Sequence, residues 1–359
     1  AELPELDIQY ADYSVWQRDW LRGPELDRQM GYWREKLADA PPLLELPTDR
    51  PRPVVQTYVG NHVSAEVGAE LHKQLQHLAQ QNGASMFILL QAALDVLLAR
   101  YSGTEDIVIG TPIAGRRHAE LEPLIGFFLY TLVLRTDVSG NPTFMELLQR
   151  VRETTLSAYE HQDLPFEKLV EELRPERERS HSPIFQILFN LRAQTDGEFS
   201  LHGLSVEFDT IERNTAKTDL ALSADESRNG IKLSFEYNTD LFDQTSVEEL
   251  ARSYVELLNS IAGRPDSRIG ELSLLSAKDK ARRRAAEAAA RPTTAFVEFP
   301  SSALEHTIVD RFEAIAGACG DLPAARSATT TWSYRDLNAH ANAIAHRLLE
   351  LKLAHQQCI

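Results

Sequence analysis

The window from Met86 to Arg100, MFILLQAALDVLLAR, is apolar on nearly every face, and a helix of that kind needs other elements packed around it. Ser85 is placed to cap it. Gln91 and Asp95 interrupt the run, which also falls short of the roughly 20 apolar residues that span a bilayer. The predicted helix therefore belongs at the centre of a layer, and no membrane segment is expected. With 43% hydrophobic residues among 359, the chain has ample material to cover it.

Strand signals supply the covering sheet. Ile231, Leu233, Phe235 and Tyr237 alternate strictly after Asn229-Gly230, which reads as a hairpin turn. Further strands are predicted over Val54–Val67, Ile184–Leu191, Leu204–Ile211 and Asp219–Ala224. Helices are predicted over Leu26–Leu37, over Ala69–Gln81 ending at Asn82-Gly83, and along a face of Phe144, Leu147, Leu148, Val151, Ala158 and Tyr159 after an Asn141-Pro142 start. Thr245 and Glu248 form a capping box for a last helix whose stripe runs from Val247 to Ile261. Pro41, Pro42, Pro47, Pro51 and Pro53 make an extended arm.

Between two apolar pieces lies GTPIAGRRHAELEPLIGFFLYTLVLR, Gly110 to Arg135, read as strand, polar loop and long strand. Tyr10, Tyr13, Trp16 and Trp20 recur at near-helical spacing, a core-type pattern. In the corner HQDLP, Pro165 separates two helices; His161 ends the first and Asp163 is placed to cap the second, Phe166–Leu173.

Composition excludes several functions. Lys+Arg 37 against Asp+Glu 53 gives a net charge of −16, which repels a phosphate backbone, so nucleic acid is not an expected partner. Cys319 and Cys358 are the only cysteines, without CxxC or a His/Cys cluster; no metal site is expected and a reducing cytoplasm fits. GxxxxGK[ST], GxSxG, HExxH and EF-hand signatures are all missing.

Taken together, YADYSVW (Tyr10–Trp16), the Gly110–Arg135 stretch, HQDLPFE (His161–Glu167) and RERSHSPIFQILF (Arg177–Phe189) resemble, in order, the condensation domain of nonribosomal peptide synthetases. Downstream, WSYRDLNAHANAIAHRLLEL (Trp332–Leu351) is similar to the opening of an adenylation domain. The organisation expected is the C-terminal part of a condensation domain over residues 1–275, a linker over 276–300 around the alanine- and arginine-rich AKDKARRRAAEAAARP, and the start of an adenylation domain over 301–359.

The resemblance implies an α/β, chloramphenicol-acetyltransferase-like lobe, a mixed sheet carrying helices. It implies peptide-bond formation between aminoacyl or peptidyl groups held by carrier domains on phosphopantetheine arms; epimerisation, or a non-catalytic platform that docks carriers, are the alternatives. No cofactor is expected on this piece itself, while ATP and Mg belong to a complete adenylation domain. The family's HHxxxDG is absent, and since it precedes YxDYAxW in the family, truncation of an N-terminal lobe is the expected reason. This piece alone is then expected to be inactive. The implied acceptor-tunnel or lobe-interface candidates are Gly126, Tyr130, Arg135, His161, Asp163 and Arg116. Tyr130 departs from the family's usual Asn, which leaves it either filling the tunnel or packing in the lobe interface.

Overall fold

In the computed structural model, residues 5–173, 178–193, 214–290, 307–327 and 330–350 are described. The chain forms two compact units, Ala1–Ala285 and Ala286–Ile359. In the first, β1 (Gly60–Gly68), β2 (Asp106–Ala114), β3 (Leu129–Asp137), β4 (Ile187–Ala193), β5 (Leu220–Ser227) and β6 (Gly230–Asn238) make one sheet in the order β1-β6-β5-β4-β2-β3. Parallel pairing at β2–β4 and β4–β5 and antiparallel pairing elsewhere make it mixed. The helices are α1 (Tyr10–Trp20), α2 (Pro24–Lys36), α3 (Ala69–Gln81), α4 (Met86–Ser102), α5 (Phe144–Glu160), α6 (Phe166–Leu173), α7 (Gln244–Gly263) and α8 (Ala277–Ala290).

As its composition requires, α4 is buried from Met86 to Leu98 apart from a half-buried Phe87, and Ser85 Oγ caps it by accepting from Ile88 N–H. Its two polar residues are buried with it. Asp95 is fully enclosed, and neither carboxyl oxygen meets a partner at hydrogen-bonding geometry. Burial pushes its pKa up to about 8; the neighbouring Thr136 and Gln91 only soften the effect.

Several local expectations move. The turn before β6 is Arg228-Asn229, because Ser227 pairs with Gly230; Gly230, at φ 130°, is needed where a Cβ would lie 2.2 Å from Val67 O. Helix α5 is capped by Thr143 and Glu146 in a capping box, not by Asn141. Helix α7 starts at Gln244, and instead of a Thr245–Glu248 box the Asp49 carboxylate accepts from Asp243 N–H and Ser246 Oγ, each at 2.8 Å. Of Val54–Val67 only the part from Gly60 is strand. The expected strand Leu204–Ile211 lies outside the described residues. The proline arm is pinned to the sheet: Gln186 Oε1 accepts from Leu44 N–H at 2.9 Å and Gln186 Nε2 donates to Pro42 O at 3.0 Å.

The second unit contains α9 (Ile308–Ala318), the hairpin β7 (Pro323–Arg326) and β8 (Thr331–Ser333), and α10 (Tyr334–Glu350). Thr307 and Asp310 form a capping box on α9. No single helix among the described residues is long and apolar enough to cross a membrane.

Candidate functional site

The polar loop between β2 and β3 is organised from beneath by a small apolar cluster of Tyr13, Leu121, Leu124 and Phe128, separate from the main core. Helix α1 lies on this loop. Gly126 makes the approach possible, since a Cβ there would sit 2.2 Å from the Tyr10 ring. Tyr10 Oη donates to Phe127 O at 3.0 Å. Tyr130 Oη meets Tyr13 Oη at 3.0 Å and accepts from Gln17 Nε2 at 2.6 Å. Burial and the Tyr130 hydroxyl hold the Tyr13 phenol well above its ordinary pKa. The Arg116 guanidinium stands 4.1 Å over the Phe128 ring and donates to Leu121 O and Glu122 O, so it braces the loop.

The aromatic helix is only partly core. Tyr13 is buried, but Trp16 and Trp20 stack on each other at 5.5 Å in the open, Trp16 meeting His118 edge-on. Beside them Ile125 and Phe127 are 94% and 71% exposed. A helix docked on one face by two tyrosines leaves its other aromatics free, a distinction that spacing alone does not make.

The HQD corner joins this assembly through Arg117. Asp163 is paired with Arg117 at 2.5 Å and takes a longer contact from Gln29 Nε2 at 3.4 Å, the interactions found in place of the expected cap. Burial raises the Asp163 pKa, with Arg117 opposing and Glu25 adding. His161 closes α5: its Nδ1–H donates to Ser157 O at 2.9 Å, its carbonyl accepts from Trp33 Nε1 at 2.9 Å, and its ring stacks on Tyr32 at 4.0 Å.

Arg135 stands apart from the other candidates. It chelates Asp106, with Nε at 2.9 Å from Oδ1 and a terminal nitrogen at 2.7 Å from Oδ2. It also donates to the carbonyls of Lys36, Ala38 and Asp39, tying the end of α2 to the sheet. It lines an open cavity of about 720 Å³ with Tyr32, Lys36 and Asp137. The candidates thus fall into one group at α1 (Gly126, Tyr130, Arg116), one at the corner (His161, Asp163) and Arg135 by itself.

Sequence reasoning missed Gln17 and Gln29. Gln29 is fully buried with its Oε1 unpartnered, and a lone polar residue inside the apolar stripe of α2 is the signal that marks it. No group of three or more His, Cys, Asp or Glu among the described residues could hold a metal ion. What the site offers is a set of oriented hydrogen-bonding groups beside an open aromatic and apolar strip.

A lobe with this mixed sheet and helix order is of the chloramphenicol-acetyltransferase type. Residues 1–282 match the condensation-domain family, and the chain belongs to it: a condensation domain of nonribosomal peptide synthetases. One component of the linear gramicidin synthase of Brevibacillus parabrevis is 51% identical over 283 residues, 78% of this chain and 6% of that protein. Another component of the same synthase is 44% identical over 353 residues, 97% of this chain and 7% of that protein. The chain therefore spans a small fraction of the relatives it matches. Among solved structures, the X-domain from teicoplanin biosynthesis, in complex with OxyB, superposes with a TM-score of 0.70 at 35% identity, covering 77% of this chain and 62% of that one.

Proposed function

We propose that this chain supplies the acceptor-side lobe of an amide-bond-forming condensation domain acting on carrier-bound aminoacyl and peptidyl thioesters. A thioester is already activated, so the protein's work is alignment of an amine against a carbonyl, with one base at most to take a proton. The observation that carries this reading is Tyr130. It lies at the motif position of the acceptor candidates, held by Tyr13 and Gln17 directly beneath α1, next to a strip of exposed apolar side chains that suits a further lobe. Partners on this reading are peptidyl carrier domains and that N-terminal lobe, phosphopantetheine arriving on the carrier. Residues 301–359 open an adenylation domain after a linker at 276–300; ATP and Mg serve the complete domain. The location is the cytoplasm.

A second reading, a platform that only docks other proteins, is favoured by the likeness to an X-domain solved in complex with OxyB. Epimerisation remains the third. The complete protein, mixed with donor- and acceptor-loaded carriers, distinguishes them: dipeptide supports condensation, an inverted stereocentre without joining supports epimerisation, and carrier binding without product supports the platform.

A further inference from the structure

Of the six buried side-chain polar atoms that meet no partner among the described residues, four lie on three neighbours: Gln91 Nε2, both carboxyl oxygens of Asp95 and Thr136 Oγ1. Gln91 and Asp95 are one turn apart on the same face of α4, and Thr136 lies beside Asp95 on β3, one residue past Arg135. All three are enclosed, at 0%, 0% and 1% exposure, so none can turn to solvent. An orphaned polar group inside a protein costs about 1–3 kcal/mol. Four at one spot would consume much of the roughly 5–15 kcal/mol that holds a domain folded, so they call for a common ligand.

The chemistry of these atoms narrows that ligand. Gln91 Oε1 already accepts from Thr155 Oγ1 at 3.1 Å, which leaves the amide nitrogen, a pure donor, among the orphans. A metal cation would be repelled by that nitrogen, and an anion would have to shed its hydration inside an apolar core. Burial keeps a proton on Asp95, so no counter-charge is required. The Tyr254 hydroxyl, the other titratable group against Asp95, is engaged elsewhere, donating to Leu90 O at 2.8 Å. What remains is a neutral ligand that donates and accepts at once and is small enough for a packed interior. Water has two donors and two acceptors to set against the four orphan atoms. We propose that a single internal water molecule bridges Gln91, Asp95 and Thr136, joining the middle of α4 to the strand that carries Tyr130 and Arg135. This holds whatever the lobe acts on.

The test is oxygen-17 relaxation dispersion, which counts waters held much longer than at a surface, on this chain and on Asp95→Leu, together with cross-relaxation between water and the Gln91 side-chain amide protons. In the wild type a Gln91–water cross-peak is expected. Asp95→Leu, whose apolar side chain takes the place of the carboxyl, should lose that peak and one long-lived water. Thr136→Val keeps the outline of the side chain without its hydroxyl and should weaken the peak, so the proposal stays open to refutation even where Asp95→Leu does not fold. A wild type without the Gln91–water peak overturns it, as does a folded Asp95→Leu with unchanged dispersion, or a peak in Thr136→Val as strong as in the wild type. The urea midpoint should be the same in sodium chloride as in choline chloride at equal ionic strength. A midpoint raised by sodium alone would put a cation at the site and overturn the assignment to water.

Discussion

Tyr130 is where residue identity matters most. Its hydroxyl joins Tyr13 and Gln17 in one chain of hydrogen bonds, so Tyr130→Phe should lower the unfolding free energy by about 1–2 kcal/mol, read by urea denaturation. An unchanged midpoint would mean that water replaces both contacts. Asp95 makes a second claim. Its pKa, pushed up to about 8 by burial, lies above the value of an unfolded aspartate, so between about pH 4 and pH 8 the folded state holds a proton that the unfolded state has lost. Stability from this group is fully present below pH 4 and declines as pH rises, by up to about 1.4 kcal/mol per pH unit, until it levels near pH 8. Tyr254 is the other titratable group against it, held protonated by burial. In Asp95→Asn the decline should disappear from denaturation curves recorded at pH 5 and pH 8; a parallel decline in both proteins would contradict the assignment. The sequence marks Asp95 as an anomaly in an apolar helix, but whether it has a partner depends on β3 and α5, which no local pattern reveals.

Among elements, legibility follows how local the cause is. Helix α4 is readable because its apolar faces, its Ser85 cap and its Gly103 end, at φ 74°, all lie within its own window. The alternation of β6 is equally self-contained. The caps of α5 and α7 are not: Thr143 rather than Asn141 satisfies the first N–H groups of α5, and at the start of α7 the acceptor is Asp49, from a distant part of the chain, rather than Thr245. For α1, periodicity correctly gives a helix but cannot say that Tyr13 is its anchor while Trp16 and Trp20 stay outside. That docking turns on Gly126: Gly126→Ala should displace the Tyr10 ring, cost about 1–3 kcal/mol and change the fluorescence of Trp16 and Trp20. Unaltered fluorescence and stability would show that α1 is held elsewhere. Arg117 and Asp163 meet across elements distant in sequence, and only the motif order hinted at their common place.

For the whole molecule, Val15, Trp16, Ile125, Phe127 and Leu129 are exposed large apolar side chains on α1 and the β2–β3 segment, close in sequence to the candidates Gly126 and Tyr130. Exposed apolar area of this sort marks an interface or an aggregation hazard. The chain by itself should bind a hydrophobic dye and associate with rising concentration, and a dye-silent monomer would count against a lobe-facing role. Because HHxxxDG is absent from it, it should also form no dipeptide above the uncatalysed background when given both loaded carriers. Its acidity, at a net charge of −16, leaves nucleic acid without an electrostatic footing. The most direct measurement of the acceptor-side assignment is dipeptide formation by the complete protein, wild type against Tyr130→Asn, across acceptor amines of increasing bulk. The variant should favour bulkier acceptors and lose some stability, because the Tyr13 and Gln17 contacts go with the ring. An unchanged order of acceptor preference, with the same loss of stability, would contradict it and leave Tyr130 as a support for α1 alone.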